Sequence, residues 1–76
     1  MDVLVFRAQS APRLEHIPND IHSMQDIVGG YIEAVHLNDD LVLVCNEEGR
    51  LHNLPPTARC AAGEIVGPCF VAKVHH

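Results

Sequence analysis

Six histidines, three cysteines and ten carboxylates give this chain of 76 residues side chains enough for metal, nucleophilic or acid–base chemistry. Their spacing decides which of these is realistic. The interior histidines His16, His22, His36 and His52 include no pair at i, i+2 or i, i+4, and His75 and His76 are adjacent at a chain end that is prone to fray. Cys60 and Cys69 stand nine apart, and no C-x-x-C pair occurs. A tetrahedral zinc site needs four ligands in defined geometry, commonly seeded by a close pair. The expectation is therefore no metal and no cofactor. Cys45 is the sharpest nucleophile candidate, with His36 or His52 as its base. It closes an uncharged aliphatic run, however, where a cysteine acts as a small hydrophobe.

The stretch "VCNEEGRLHNLPP" places Glu47 and Glu48 side by side. Asn46 and Gly49 are turn residues at the two ends of a four-residue reversal, so the spacing predicts a hairpin tip with both acids in solvent. Adjacent turn side chains diverge, which makes them a poor acid–base pair. Gly29-Gly30 follows a helical pattern rather than preceding one, so it reads as a helix stop and not as a phosphate-binding loop. What remains is "LHNLPPTARCAAGEIVGP", a segment long for a connection in so small a chain. With the residues just upstream it supplies the ligand-binding candidates Arg50, His52, Thr57, Arg59 and Gly67. No catalytic residue is assigned, and the expected activity is non-enzymatic.

The elements that must hold these residues follow from periodicity. Val3–Phe6 reads as a strand covered on both faces, and Leu14–Ile17 as its hairpin partner across "AQSAPR". "PNDIHSMQDIVGG" is a helix with Asn19 as N-cap and Asp20 in the first turn. Its apolar stripe is Ile21, Met24, Ile27 and Val28, and Gly29-Gly30 stops it. "YIEAVHL" alternates as a strand, "LVLVC" is a buried central strand, and "RLHNL" is the strand that the Asn46–Gly49 tip joins to it. "PPTARCAAGE" reads as a loop, and "IVGPCFVAKV" as one last strand bulged at Gly67–Pro68. The order is β-β-α-β-β-β-β. The fold class is α+β: one short helix on a curved, mostly antiparallel sheet of five or six strands, partly closed as a barrel or covered at an edge by a second subunit.

Length and charge bound the rest. Residues 1–76 make one small domain, and an aliphatic core with one Tyr, two Phe and no Trp supplies limited stability, so a homo-oligomer is expected. The formal net charge is −5, with five Lys and Arg residues scattered along the chain. No basic stripe exists to neutralise a phosphate backbone, which argues against binding DNA or RNA duplexes. The longest apolar run, Leu41–Cys45, cannot span a bilayer. The chain has no basic region leading into an apolar one at its start and no cysteine pairing pattern, so the expectation is a cytoplasmic protein without a signal peptide.

The ordered set "IPNDIHSMQDIVGGYIEAV", "LVLVCNEEGRLHNLPP" and "IVGPCFV" resembles the small DUF3846 family of bacterial, plasmid and phage proteins. The resemblance runs from Val3 to Val71. It departs after the double proline, where the family commonly continues with Asn-Arg and this chain has Thr57, Ala58 and Arg59. The resemblance transfers no reaction or catalytic residue. Its distribution implies an accessory, anti-defence role, most concretely a binding protein that sequesters a small nucleotide immune signal of the host. The alternative is a protein–protein inhibitor or adaptor with no small ligand, acting through an acidic surface of Asp39, Asp40, Glu47 and Glu48.

Overall fold

The computed structural model describes residues 1–48, 56–60 and 63–74, with backbone alone at 58–60. Among the described residues eight elements follow in order: β1 (Asp2–Phe6), β2 (Arg13–His16), α1 (Ile21–Val28), β3 (Ile32–His36), β4 (Leu41–Asn46), β5 (Pro56–Cys60), β6 (Gly63–Val66) and β7 (Cys69–Lys73). Five strands form one sheet in the order β2-β1-β7-β4-β3, and β5 and β6 form a second sheet of two. Every pairing is antiparallel.

The sheet has a core on each face because β4 and β7 alternate two apolar sets. Val44, Phe70 and Ala72 join Val3, Val5, Ile17 and Val28 beneath the helix. Leu43, Cys45 and Cys69 point the other way, where Ile65 of the β5–β6 hairpin covers them. The molecule is thus a helix, a sheet and a hairpin in three layers. Phe70, fully buried on the middle strand β7, is the largest fully buried side chain.

The hairpin of β1 with β2, the helix, β3 and β4 stand where periodicity put them, and the fold class is α+β. Other expectations are corrected. The main sheet is open, ending at β2 and β3, and is not closed into a barrel. The segment "PPTARCAAGE", expected as a loop, contains β5 and the start of β6. Pro56 heads a strand on the edge of a two-stranded sheet, where a missing N–H costs no ladder bond. The last strand is two strands in two sheets: the chain leaves β6 through buried Gly67, at φ 79°, and Pro68, and enters the main sheet as β7. β1, expected to be covered on both faces, is fully covered on one: Val3 and Val5 are buried, while on the other face Leu4 is 37 % exposed and Phe6 is partly buried.

The helix begins one residue later than Asn19 implied. Asp20 is the N-cap, with extended backbone, and its Oδ1 accepts from Ser23 N–H at 2.7 Å. Gly29 closes the helix in the left-handed region at φ 80°, its N–H bonded to the Gln25 carbonyl at 2.8 Å. Of the apolar stripe, Val28 is buried and Met24 and Ile27 pack beside it. Ile21, at 47 % exposure, stays in solvent at the first turn. The Ser23 N–H holds the Asp20 carboxyl below the ordinary aspartate value, as the Arg7 hydrogen bond does for Glu15 and the His16 bond for Asp2. A carboxyl lowered in the folded state adds stability that is complete above the unfolded carboxylate range, near pH 4, and is lost as pH falls through the folded value. Thermal melts should therefore show a midpoint that declines below about pH 4. Asp20→Ala should lower the midpoint at neutral pH and flatten that acid decline, whereas Asp20→Asn should keep most of the cap.

Candidate functional site

The β1–β2 hairpin gathers two of the five fixed cations at one end of the sheet. Its register sets Val5 opposite Arg13 and Val3 opposite Glu15. The turn between the strands closes with Ser10 N–H donating to the Arg7 carbonyl at 3.3 Å, and Gln9 adopts a left-handed φ of 59°. Arg7, Ser10, Ala11, Arg13 and Glu15 then line an open concavity of about 500 Å³. Arg7 Nη1 donates to Glu15 Oε2 at 2.8 Å. This ion pair holds the Arg7 guanidinium beside Glu15 in the lining of the hollow, and the guanidinium has further N–H groups that can serve a ligand. Glu15 answers one of the two cations, so Arg13 is the net positive charge. The arrangement suits recognition of a small anion by charge-assisted hydrogen bonds.

Neither arginine stood out in the sequence, because no motif links them. The available signal was the hairpin itself: Arg7 and Arg13 bracket "AQSAP", and pairing of the flanking strands draws them to the same end. A second, smaller hollow of about 180 Å³ is lined by Met1, Asp2, Ala72 and Lys73. Beside it His16 Nδ1 meets Asp2 Oδ1 at 2.7 Å, while the terminal ammonium donates to the Ile17 carbonyl at 2.6 Å.

The described sequence candidates Thr57, Arg59 and Gly67 lie in the β5–β6 hairpin and at its exit. Arg50 and His52 lie outside the described residues, as does Gly49 of the expected hairpin tip. Arg59 is in β5, opposite Glu64 in register. Thr57 and Gly67 are brought together: the Thr57 hydroxyl bonds the Gly67 carbonyl, with the Ile65 carbonyl at 3.3 Å. These contacts fasten β5 to the point where the chain crosses between sheets, which gives both residues a structural task. Cys45 is buried on the hairpin face, its Sγ 3.7 Å from the Glu33 carbonyl, and His36 belongs to the opposite face of the sheet, so the two do not form a nucleophile–base pair. Asp39 and Asp40 precede β4 and Glu47 and Glu48 follow it, which puts two acids at each end of a six-residue strand. Strand rise alone separates the pairs by roughly 20 Å. Among the described residues no group of three His, Cys, Asp or Glu side chains is placed to hold a metal ion.

Asn46 is a residue whose role sequence reasoning missed. It is 8 % exposed, the one buried polar side chain among the described residues. Its Nδ2 donates to the Val28 carbonyl at 3.1 Å and its Oδ1 accepts from Glu48 N–H at 2.7 Å. One amide thus ties the last turn of α1 to β4 and also shapes the turn that leaves the strand. Gly30 allows this approach: a Cβ there would sit 3.0 Å from Nδ2.

No described helix is long and apolar enough to cross a membrane. Among proteins of curated function none matches the chain, and among solved structures none does either. A family model does match, and it covers residues 1–76. The chain belongs to DUF3846, a domain of unknown function.

Proposed function

We propose that the protein is a non-enzymatic binding protein that holds a small anion of nucleotide size in the β1–β2 concavity. The observation that carries this reading is the convergence of Arg7 and Arg13 on a hollow of about 500 Å³. Small-ligand sites span roughly 300–1,000 Å³ and use a few placed polar groups for orientation. Arg7 is pre-oriented by Glu15, and Ser10 adds a hydroxyl that can donate to a phosphate oxygen. The finer form of the reading is a cytoplasmic sponge for a nucleotide immune signal, encoded by a phage or mobile element. It rests on the bacterial, plasmid and phage distribution implied by the resemblance. An adaptor acting through an acidic surface would have to use two separated pairs of acids in place of one face.

A thermal-shift panel of mono-, di- and cyclic nucleotides, followed by calorimetry at two salt concentrations, tests the proposal. Arg13→Ala should weaken binding by about tenfold or more, the loss expected when a hydrogen bond to a charged group is removed. Arg7→Ala should do the same, while Arg50→Ala and Arg59→Ala leave affinity unchanged. Loss confined to Arg50→Ala or Arg59→Ala would move the ligand to the region of residues 50–59. A panel in which no nucleotide stabilises the protein would end the reading.

A further inference from the structure

The free edge at β2 carries a sequence that is complementary to itself. β2 closes one side of the main sheet, and among the described residues no strand lies beyond it. Three of its four residues, Arg13-Leu14-Glu15, place a cation and an anion symmetrically about a leucine. An antiparallel copy of the same strand, centred on Leu14, sets Arg13 opposite Glu15 of the second copy, Glu15 opposite the second copy's Arg13, and leucine opposite leucine. Opposite charges directly across an antiparallel pair are favourable and like charges are not.

Leu14 is the second observation. It is 75 % exposed, more than any other large apolar side chain described. It begins a row of aliphatic residues that crosses all five strands in register: Leu14, Leu4, Val71, Leu43 and Val35. The β5–β6 hairpin covers the Leu43 end, and Leu4, at 37 % exposure, shares the open end with Leu14. A second copy across a twofold axis would pack its own Leu14 and Leu4 against this end and continue the row through both sheets. The opposite edge offers no such match. Self-pairing of β3 about Ala34 would put Glu33 across from valine, and both ends of that strand's charge pattern would go unanswered.

We infer that the protein dimerises by antiparallel pairing of β2 with β2 of a second copy, forming one ten-stranded sheet. Such a contact is isologous, the commonest closed symmetry for soluble oligomers. It is also short, because Pro12 has no N–H to extend the ladder. The dimer is accordingly weak, with association in the micromolar range. It also sets the second copy's Arg13 beside Glu15 at the rim of the concavity, so each hollow gains a wall from its neighbour.

Charge exchange tests this without any nucleotide, so its outcome is independent of the anion-binding proposal. Sedimentation equilibrium of the wild type, from micromolar to millimolar concentration, should show a reversible monomer–dimer equilibrium. Arg13→Glu presents two acids to two acids, and Glu15→Arg presents two bases to two bases, so each variant alone should be monomeric while its circular dichroism stays that of the folded protein. An equimolar mixture of the two should recover the dimer as a one-to-one heterodimer, since each base then faces an acid. A wild type that remains an 8.4 kDa monomer throughout overturns the inference. So does a dimer that persists in both single variants, or a mixture that recovers none. If either variant fails to fold, Leu14→Lys, which keeps both charges and removes the apolar contact, should give a folded monomer, and a dimer of that variant overturns the β2 pairing.

Discussion

Replacing Asn46 by leucine is expected to lower the free energy of unfolding by about 2–4 kcal/mol, because it strips partners from two polar groups at once. The Val28 carbonyl, at the last turn of α1, and the Glu48 N–H, at the exit of β4, both bond to the one amide. Leucine has similar bulk but no polar atom, so these groups lose their hydrogen bonds while staying partly or wholly shielded from water. Asn46→Asp separates the two functions. A carboxylate still accepts from Glu48 N–H but has no hydrogen for the Val28 carbonyl, and it brings a negative charge against that oxygen. The introduced carboxyl should bind its proton more tightly in the folded than in the unfolded protein. Its sign is then the reverse of Asp20: the variant recovers stability as pH falls through the raised folded value and loses it as pH rises. Urea unfolding at several pH values checks this. An aspartate variant whose stability follows wild type across the range would show that the Val28 bond contributes nothing.

Phe70→Ala should be the other severe change, costing about 3–5 kcal/mol by loss of transfer energy and by the cavity left behind. Phe70 is fully buried on β7, the middle strand of the sheet, within the core that joins Val3 and Val5 of β1 to Val44 of β4 and Val28 of α1. A domain of this length has about 4–11 kcal/mol in total at typical stability per residue, so the variant is expected to be largely or wholly unfolded at 37 °C. Phe70→Leu, which keeps most of the volume, should cost about 1–2 kcal/mol and leave a cooperative transition. Denaturant midpoints with unchanged m-values for the leucine variant, and a lost or strongly shifted transition for the alanine variant, are the expected pair of results. A mild effect of Phe70→Ala would mean that the two sheet halves are stable without this side chain.

Why some of this was legible in the sequence and some not follows from the range of the forces involved. β1 with β2, α1 and β4 were readable because each is set by local chemistry: short aliphatic runs, an acid or amide before a helical stripe, two glycines after it. The position of the N-cap slipped by one residue because Asn19 and Asp20 are equally good caps, and only the backbone decides between them. β5 was invisible because "PTARC" has neither alternation nor a β-branched run beyond Thr57. It becomes a strand through pairing with β6 and through the Thr57 hydroxyl on the Gly67 carbonyl. Gly67–Pro68 was rightly seen as a break, but a break within one strand and a passage between two sheets have the same local signature. Asn46 met every rule for a turn residue, so its bond to a carbonyl 18 residues away left no trace in the pattern. The concavity went unseen for a related reason: Arg7 and Arg13 acquire meaning only once β1 and β2 are paired.

The placement of β7 has a consequence for how the chain acquires this structure. β7 lies between β1 and β4, and among the described strands it alone pairs with both the hairpin of β1 and β2 and the hairpin of β3 and β4. Val3 finds Ala72 across nearly the whole length of the chain. On a ribosome the first four strands can form only as two separate hairpins, each with an open edge, until the last strand emerges to slot between them. Closing so long a loop is slow, and the edges stay open for that interval. Proteolysis or truncation that removes residues 69–76 would therefore not shorten the sheet by one strand. It would divide it into two ribbons, neither of which has enough core to stand alone.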